Sequence, residues 1–159
     1  MLQLSGMIGA PNEVFMSVGK GDSVSKLNSF DDALLDAKVG NVSLIRVTSI
    51  LPEKVKFVTQ ANLIPGSTTP AVYTRYTSQI RGTVIAAAIA VGRTIKGPTL
   101  ITEFSGEVDK KVAEEIVTKQ LLHMIQTRRL KPSGKPIIKS IEHEVIDIGT
   151  VVALVLYVK

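Results

Sequence analysis

Two adjacent hydroxyls, Thr48 and Ser49, stand near the end of a β-branched, apolar run from Val42 to Leu51. A serine hydroxyl attacks the carbonyl carbon of the residue before it when the backbone bends to bring them together. The peptide then becomes an ester, β-elimination breaks it, and the dehydroalanine left behind hydrolyses to a pyruvoyl group. That is nucleophilic chemistry turned on the chain itself. The dipeptide alone carries little information, because Thr77-Ser78 repeats it. Glu103 is a second candidate, a lone carboxylate among Thr99, Leu100, Ile101, Thr102 and Phe104. On an edge strand it would simply face solvent; buried, it would lose solvation, its pKa would rise, and a proton would be held near neutral pH.

Other titratable groups offer less. His123 falls on a long helix and reads as an exposed or interface residue. His143 sits in Glu142-His143-Glu144, where strand alternation sends both glutamates to the face opposite the imidazole and argues against a three-ligand metal site. A Ser-His-Asp triad stays open, although no Gly-x-Ser-x-Gly elbow accompanies it. Cysteine is absent, which removes disulfides, thiolate metal sites and cysteine nucleophiles and fits a cytoplasmic protein. No metal is expected.

The elements that must position these groups follow from periodicity and punctuation. Val42 to Leu51 reads as one central strand, bounded by Gly40-Asn41 and Pro52. Val14 to Val18 reads as a short strand ended by a turn at Gly19-Lys20-Gly21-Asp22, whose spacing matches neither phosphate-binding glycine fingerprint. Asn28 or Ser29 caps a helix from Phe30 to Lys38, with Asp31 and Asp32 in its first turn and Leu34, Leu35 and Ala37 on its buried side. After an irregular region containing a possible strand at Lys56 to Thr59, strands are expected at Ala71 to Gln79, Gly82 to Val91 and Pro98 to Phe104. Glu107 to Arg129 is the long helix, with Val108, Val112, Ile116 and Leu122 or Met124 on its apolar face. Ile137 to Asp147 alternates like a half-exposed strand, and Val151 to Val158 is fully apolar. Two helices and many strands make an α+β domain with sheets packed under helices, one domain over residues 1–159.

Composition sets outer limits. Hydrophobic residues make up 45% and aromatics 4%, so the core is built from aliphatic side chains. Mean hydropathy is +0.25, which argues against disorder. The net charge of +5 concentrates in Arg128, Arg129, Lys131, Lys135 and Lys139, read as a solvated face because no nucleic-acid motif accompanies it. The opening segment, Met1 to Gly9, lacks the basic start of a signal peptide. The longest apolar runs hold 11 uncharged residues, against roughly 20 for a membrane-spanning helix. Neither nucleic acid nor membrane is expected as a partner.

Taken together, Leu27-Asn28-Ser29-Phe30-Asp31, Gly40-Asn41, Leu44-Ile45-Arg46, Thr48-Ser49 and Ile101-Thr102-Glu103-Phe104 give the chain a resemblance, over nearly its whole length, to the pyruvoyl-dependent arginine decarboxylases. The resemblance implies a four-layer αββα sandwich, cleavage into a β chain of residues 1–48 and an α chain of residues 49–159, and a covalent pyruvoyl cofactor derived from Ser49. It implies L-arginine as substrate, agmatine and CO2 as products, Glu103 as proton donor, and Asp31 as the carboxylate that contacts the guanidinium. Leu27, Leu34 and Thr48 would line the substrate. It further implies a homotrimer or dimer of trimers with sites between subunits. Two residues depart from the pattern. Ser43 stands where relatives often carry an asparagine that polarises the scissile carbonyl, leaving Ser43 or Asn41 to support processing, and Thr48 replaces a serine. Another amino acid, such as histidine, is an alternative substrate, because Asp31 alone speaks for guanidinium. An unprocessed binding or assembly protein is the alternative outside enzymes.

Overall fold

The computed structural model describes residues 9–159; the segment read above for a signal peptide lies almost wholly outside them. In chain order the elements are β1 (Glu13–Ser23), α1 (Lys26–Asp36), β2 (Ser43–Arg46), β3 (Ile50–Leu51), β4 (Lys56–Val58), β5 (Thr68–Ser78), β6 (Val84–Gly92), β7 (Thr99–Gly106), α2 (Lys110–Thr127), β8 (Ile137–Glu144) and β9 (Ile148–Tyr157). The fold is α+β. One sheet has the order β2-β5-β9-β1-β4 and the other β3-β7-β6-β8.

The apolar strand β9 lies at the centre of the first sheet, antiparallel to β1 and β5. Its side chains alternate between two buried environments, which is why the segment is apolar throughout. Val152, Leu154 and Leu156 join Ala33 of α1 and its C-cap Ala37, while Val151, Ala153 and Val155 join Ile85, Ala87, Ile89 and Val91 of β6. Ala86, Ala88 and Ala90, on the other side of β6, meet Ala113, Val117 and Leu121 of α2. Small residues on both surfaces let helix and sheet approach closely. Burying each of the larger aliphatic side chains contributes about 1.5–3 kcal/mol.

Four expectations need correction. The Val42 to Leu51 strand is not one strand. β2 pairs parallel with β5 in the first sheet, β3 pairs with β7 in the second, and the chain crosses between sheets at Val47–Ser49. Gly19 and Gly21 make no turn. β1 runs straight through them, and a Cβ at Gly19 would lie 2.1 Å from the Ala33 carbonyl oxygen of α1. The glycines let the helix lie on the strand.

Helix α1 begins earlier than expected, capped by Ser25, whose hydroxyl accepts the Asn28 N–H at 3.0 Å. Asp31 and Asp32 therefore fall beyond the first turn, and the dipole argument for them lapses. Ser29 is buried instead, donating to the Thr150 hydroxyl at 2.6 Å. Finally, α2 buries Ala113, Val117, Leu121 and Ile125, whereas Val112 and Leu122 are exposed. The inward face is the one whose small residues fit over the alanines of β6.

Candidate active site

The crossing between sheets bends the chain at the residue with the candidate nucleophile. Val47 is still held by the first sheet, its N–H donating to the Ala71 carbonyl at 3.0 Å. Two residues later the Ser49 carbonyl accepts the Ile101 N–H of β7 at 2.9 Å, anchoring it to the second sheet. Between these anchors the Ile50 N–H donates to the Thr48 carbonyl at 3.0 Å. A bond spanning two residues is a γ-turn, and Ser49 is its central residue. Ser49 has negative φ, the inverse form of that turn. Farther on, the Tyr157 hydroxyl donates to the Ile50 carbonyl at 3.3 Å and steadies the exit from the bend.

Strand β3 is two residues long and covers β7 only at Thr99 and Leu100. The edge of β7 beyond Ile101 is thus left without a strand partner, and Glu103 stands there. A cleft of about 330 Å³ opens at this gap, lined by Ser49, Ile101, Thr102 and Glu103 on one side and by Gln120, His123 and Met124 of α2 on the other. The Thr102 hydroxyl donates to the Val117 carbonyl at 2.7 Å and fixes α2 over the strand.

Glu103 is neither of the extremes considered from sequence. It is on an edge, yet its side chain is only 21% exposed. Burial raises its pKa above the ordinary carboxyl value, and the Arg46 guanidinium and Ser49 hydroxyl offset part of that rise. Arg46 lies 4.0 Å from the carboxylate but is 62% exposed, so water weakens the pairing. Its guanidinium also sits over the Tyr73 ring at 5.5 Å. The cleft thus joins a bent serine to a carboxyl that retains its proton to higher pH than a free one.

Ser49, Thr48 and Glu103 are brought together; the other candidates are not, within one chain. Leu27, Asp31 and Leu34 belong to α1, which packs on the first sheet. Asp31 is exposed and Leu27 is 77% exposed. Beside Leu27 is a separate hollow of about 460 Å³, where the Arg75 guanidinium covers the Phe30 ring at 4.3 Å. Asn41 and Ser43 lie at the start of β2, the Asn41 carbonyl accepting from Gly66 and the Ser43 N–H donating to Ser67. At about 3.3 Å per residue, Ser43 is ~10 Å up the strand from Arg46.

Sequence reasoning missed Arg46, Gln120 and His123 as neighbours of the site. The last two are exposed on α2, and only the packing of that helix over β7 brings them to the cleft. His143 does point away from Glu142 and Glu144, and its Nε2 lies 2.7 Å from Asp22. That carboxylate also accepts the N–H groups of Ile146 and Asp147. No serine hydroxyl bonds to His143 among the described residues, and they contain no cluster of three or more metal-ligating groups. No helix among them is long and apolar enough to cross a membrane.

Residues 13–159 match the family model described as pyruvoyl-dependent arginine decarboxylase. The enzyme of that name from Methanococcus aeolicus is 40% identical over 112 residues, covering 68% of this chain and 67% of the relative. Its namesake from Methanothermobacter thermautotrophicus is 32% identical over 145 residues, covering 91% of this chain and 95% of the relative. That from Thermococcus kodakarensis is 34% identical over 113 residues, covering 70% and 72%. With all but its first twelve residues matched and relatives aligned along most of its length, the chain belongs to the pyruvoyl-dependent arginine decarboxylase family.

Proposed function

We propose that this chain is a self-processing decarboxylase that converts L-arginine to agmatine and CO2 with a pyruvoyl group made from Ser49. The observation that carries the reading is Ser49 at the centre of a γ-turn, in the same cleft as a half-buried Glu103 whose pKa is raised. A pyruvoyl group fits there, because Ser49 lines the cleft at the bend and the cleft leaves open space beside it. Cleavage between Thr48 and Ser49 gives a β chain of residues 1–48 and an α chain of residues 49–159, both parts of one folded domain. When formed, the group supplies the electron sink for loss of CO2. Glu103 holds the proton that replaces the carboxylate on the substrate carbon. Arg46 limits how far its pKa rises.

Asp31 reads the guanidinium, with Leu27 and Leu34 beside the aliphatic stem, and Thr48 borders the substrate from the cleaved end. Asn41 and Ser43 support processing by tying the start of β2 to Gly66 and Ser67. Because α1 stands apart from the Ser49 cleft in a single chain, the two halves of the site belong to different subunits of a trimer or dimer of trimers. The exposure of Leu27, Val24 and Ile45 near those halves supports that assembly. The three apolar clusters support an αββα layer order, with α1 outside the first sheet and α2 outside the second. A cytoplasmic location goes with a decarboxylase of a free amino acid.

Intact-mass analysis of purified protein, followed by agmatine detection after incubation with arginine, tests the reading. Two fragments meeting at Thr48/Ser49 and formation of agmatine are the expected results. A single uncleaved chain without decarboxylation would make it a binding protein.

A further inference from the structure

We infer that the backbone N–H of Ile50 is the oxyanion donor of the self-cleavage, which rests on the reading of Ser49 as attacking residue. The attack forms a bond from Ser49 Oγ to the Thr48 carbonyl carbon through a five-membered ring. Negative charge develops on the Thr48 oxygen. Collapse breaks the bond from that carbon to the Ser49 nitrogen, and the hydroxyl proton ends on that nitrogen. An ester and a free amine then hold every atom of the former peptide.

Such a reaction needs a donor aimed at the oxygen where charge appears. The Ile50 N–H already donates to the Thr48 carbonyl oxygen at 3.0 Å, the atom on which that charge develops. It belongs to the residue after the nucleophile, so the backbone fixes it relative to the reacting group. Nor is it engaged by the sheet: the neighbouring interstrand bond is made by the Ile101 N–H to the Ser49 carbonyl. The side chains that the resemblance suggests for this task stand elsewhere in the chain. Ser43 is exposed at the start of β2, and Asn41 precedes it. A backbone donor needs neither the reach of an asparagine nor a second copy of the chain. It accounts for how a serine at position 43 is compatible with cleavage.

The experiment removes that one hydrogen. Full-length precursor is made by cell-free translation with the 2-hydroxy acid counterpart of isoleucine at position 50, which replaces the N–H by an ester oxygen and keeps the side chain. The same replacement at position 101 is the control, since it removes the Ser49 carbonyl's donor instead. The readout is the rate at which intact chain becomes two fragments on a denaturing gel. Cleavage slowed about 10²–10³-fold by the ester at 50, and far less by the ester at 101, is expected. Ile50→Pro, which also lacks the hydrogen and is tolerable on an edge strand, should slow cleavage likewise. Unchanged cleavage in either position-50 variant, or equal slowing by the ester at 101, overturns the inference. Fragmentation of a Ser49→Ala chain would instead overturn the reading of Ser49.

Discussion

Glu103 and Asp31 are both acids, and their surroundings suit them to the different tasks proposed. Glu103 is half-buried, with a raised pKa, whereas Asp31 is exposed on a helix. Glu103→Gln keeps the shape and loses the deliverable proton. Chain cleavage should persist, while arginine decarboxylation falls about 10²–10⁴-fold, measured as agmatine formed per minute. The acid is active when protonated, so the rate of the unmodified enzyme should fall as pH rises through the raised Glu103 pKa. Arg46→Gln removes a cation that holds this pKa down, and should carry the falling limb to higher pH. For Asp31→Asn the expectation differs. Cleavage and turnover chemistry survive, and KM for arginine rises about 10- to 100-fold, matching a lost charge-assisted bond of about 1.5–3 kcal/mol.

Among the elements, the end of β1 shows how one carboxylate ties distant segments together. Asp22 bonds His143 on β8 and receives two N–H groups from the turn into β9. Burial pushes its pKa up, but the bonds from His143, Ile146 and Asp147 outweigh this and hold it below the ordinary value. A depressed folded-state pKa stabilises the fold above the unfolded-state pKa, and that contribution is lost as pH falls through the folded-state value. Asp22→Asn should therefore lower stability by about 1–3 kcal/mol near neutrality. In urea titrations the gap from the unmodified protein should narrow below about pH 4.

At the scale of the molecule, the proposed site needs two chains, which complementation tests directly. Asp31→Asn and Glu103→Gln proteins, each impaired alone, should regain arginine turnover when co-expressed, because each precursor folds as one chain and keeps its own Asp31 with its own Glu103 before subunits assemble. Some mixed sites then receive Glu103 from one chain and Asp31 from its neighbour. No recovery would place both groups in one subunit. The sequence made parts of this arrangement legible for definite reasons. β9 and the extent of α2 announced themselves by long, regular patterns, and Thr48-Ser49 by its motif context. The break in Val42–Leu51 was hidden because every residue there suits a strand and only the pairing partner changes. Gly19 and Gly21 looked like a turn because their use depends on a helix that arrives later in the chain. His123 read as exposed, as it is, but its place beside the cleft depends on how α2 lies over β7.

The crossing at Thr48–Ser49 also changes what kind of molecule remains after the cut. β1, a product of the first fragment, pairs with β9 along ten successive positions, and β2 of the same fragment pairs with β5. The proposed cleavage would therefore sever the covalent path while leaving the strands interleaved, and the mature protein would be a tightly knit two-chain complex. Its folding would then be a second-order event. Diluting denatured mature protein should slow refolding in proportion to concentration and lower its yield, while the uncleaved Ser49→Ala chain should form its monomer fold at a rate independent of concentration. Stopped-flow refolding over a dilution series separates the two. On that reading the catalyst is assembled through a one-chain route that its own maturation closes.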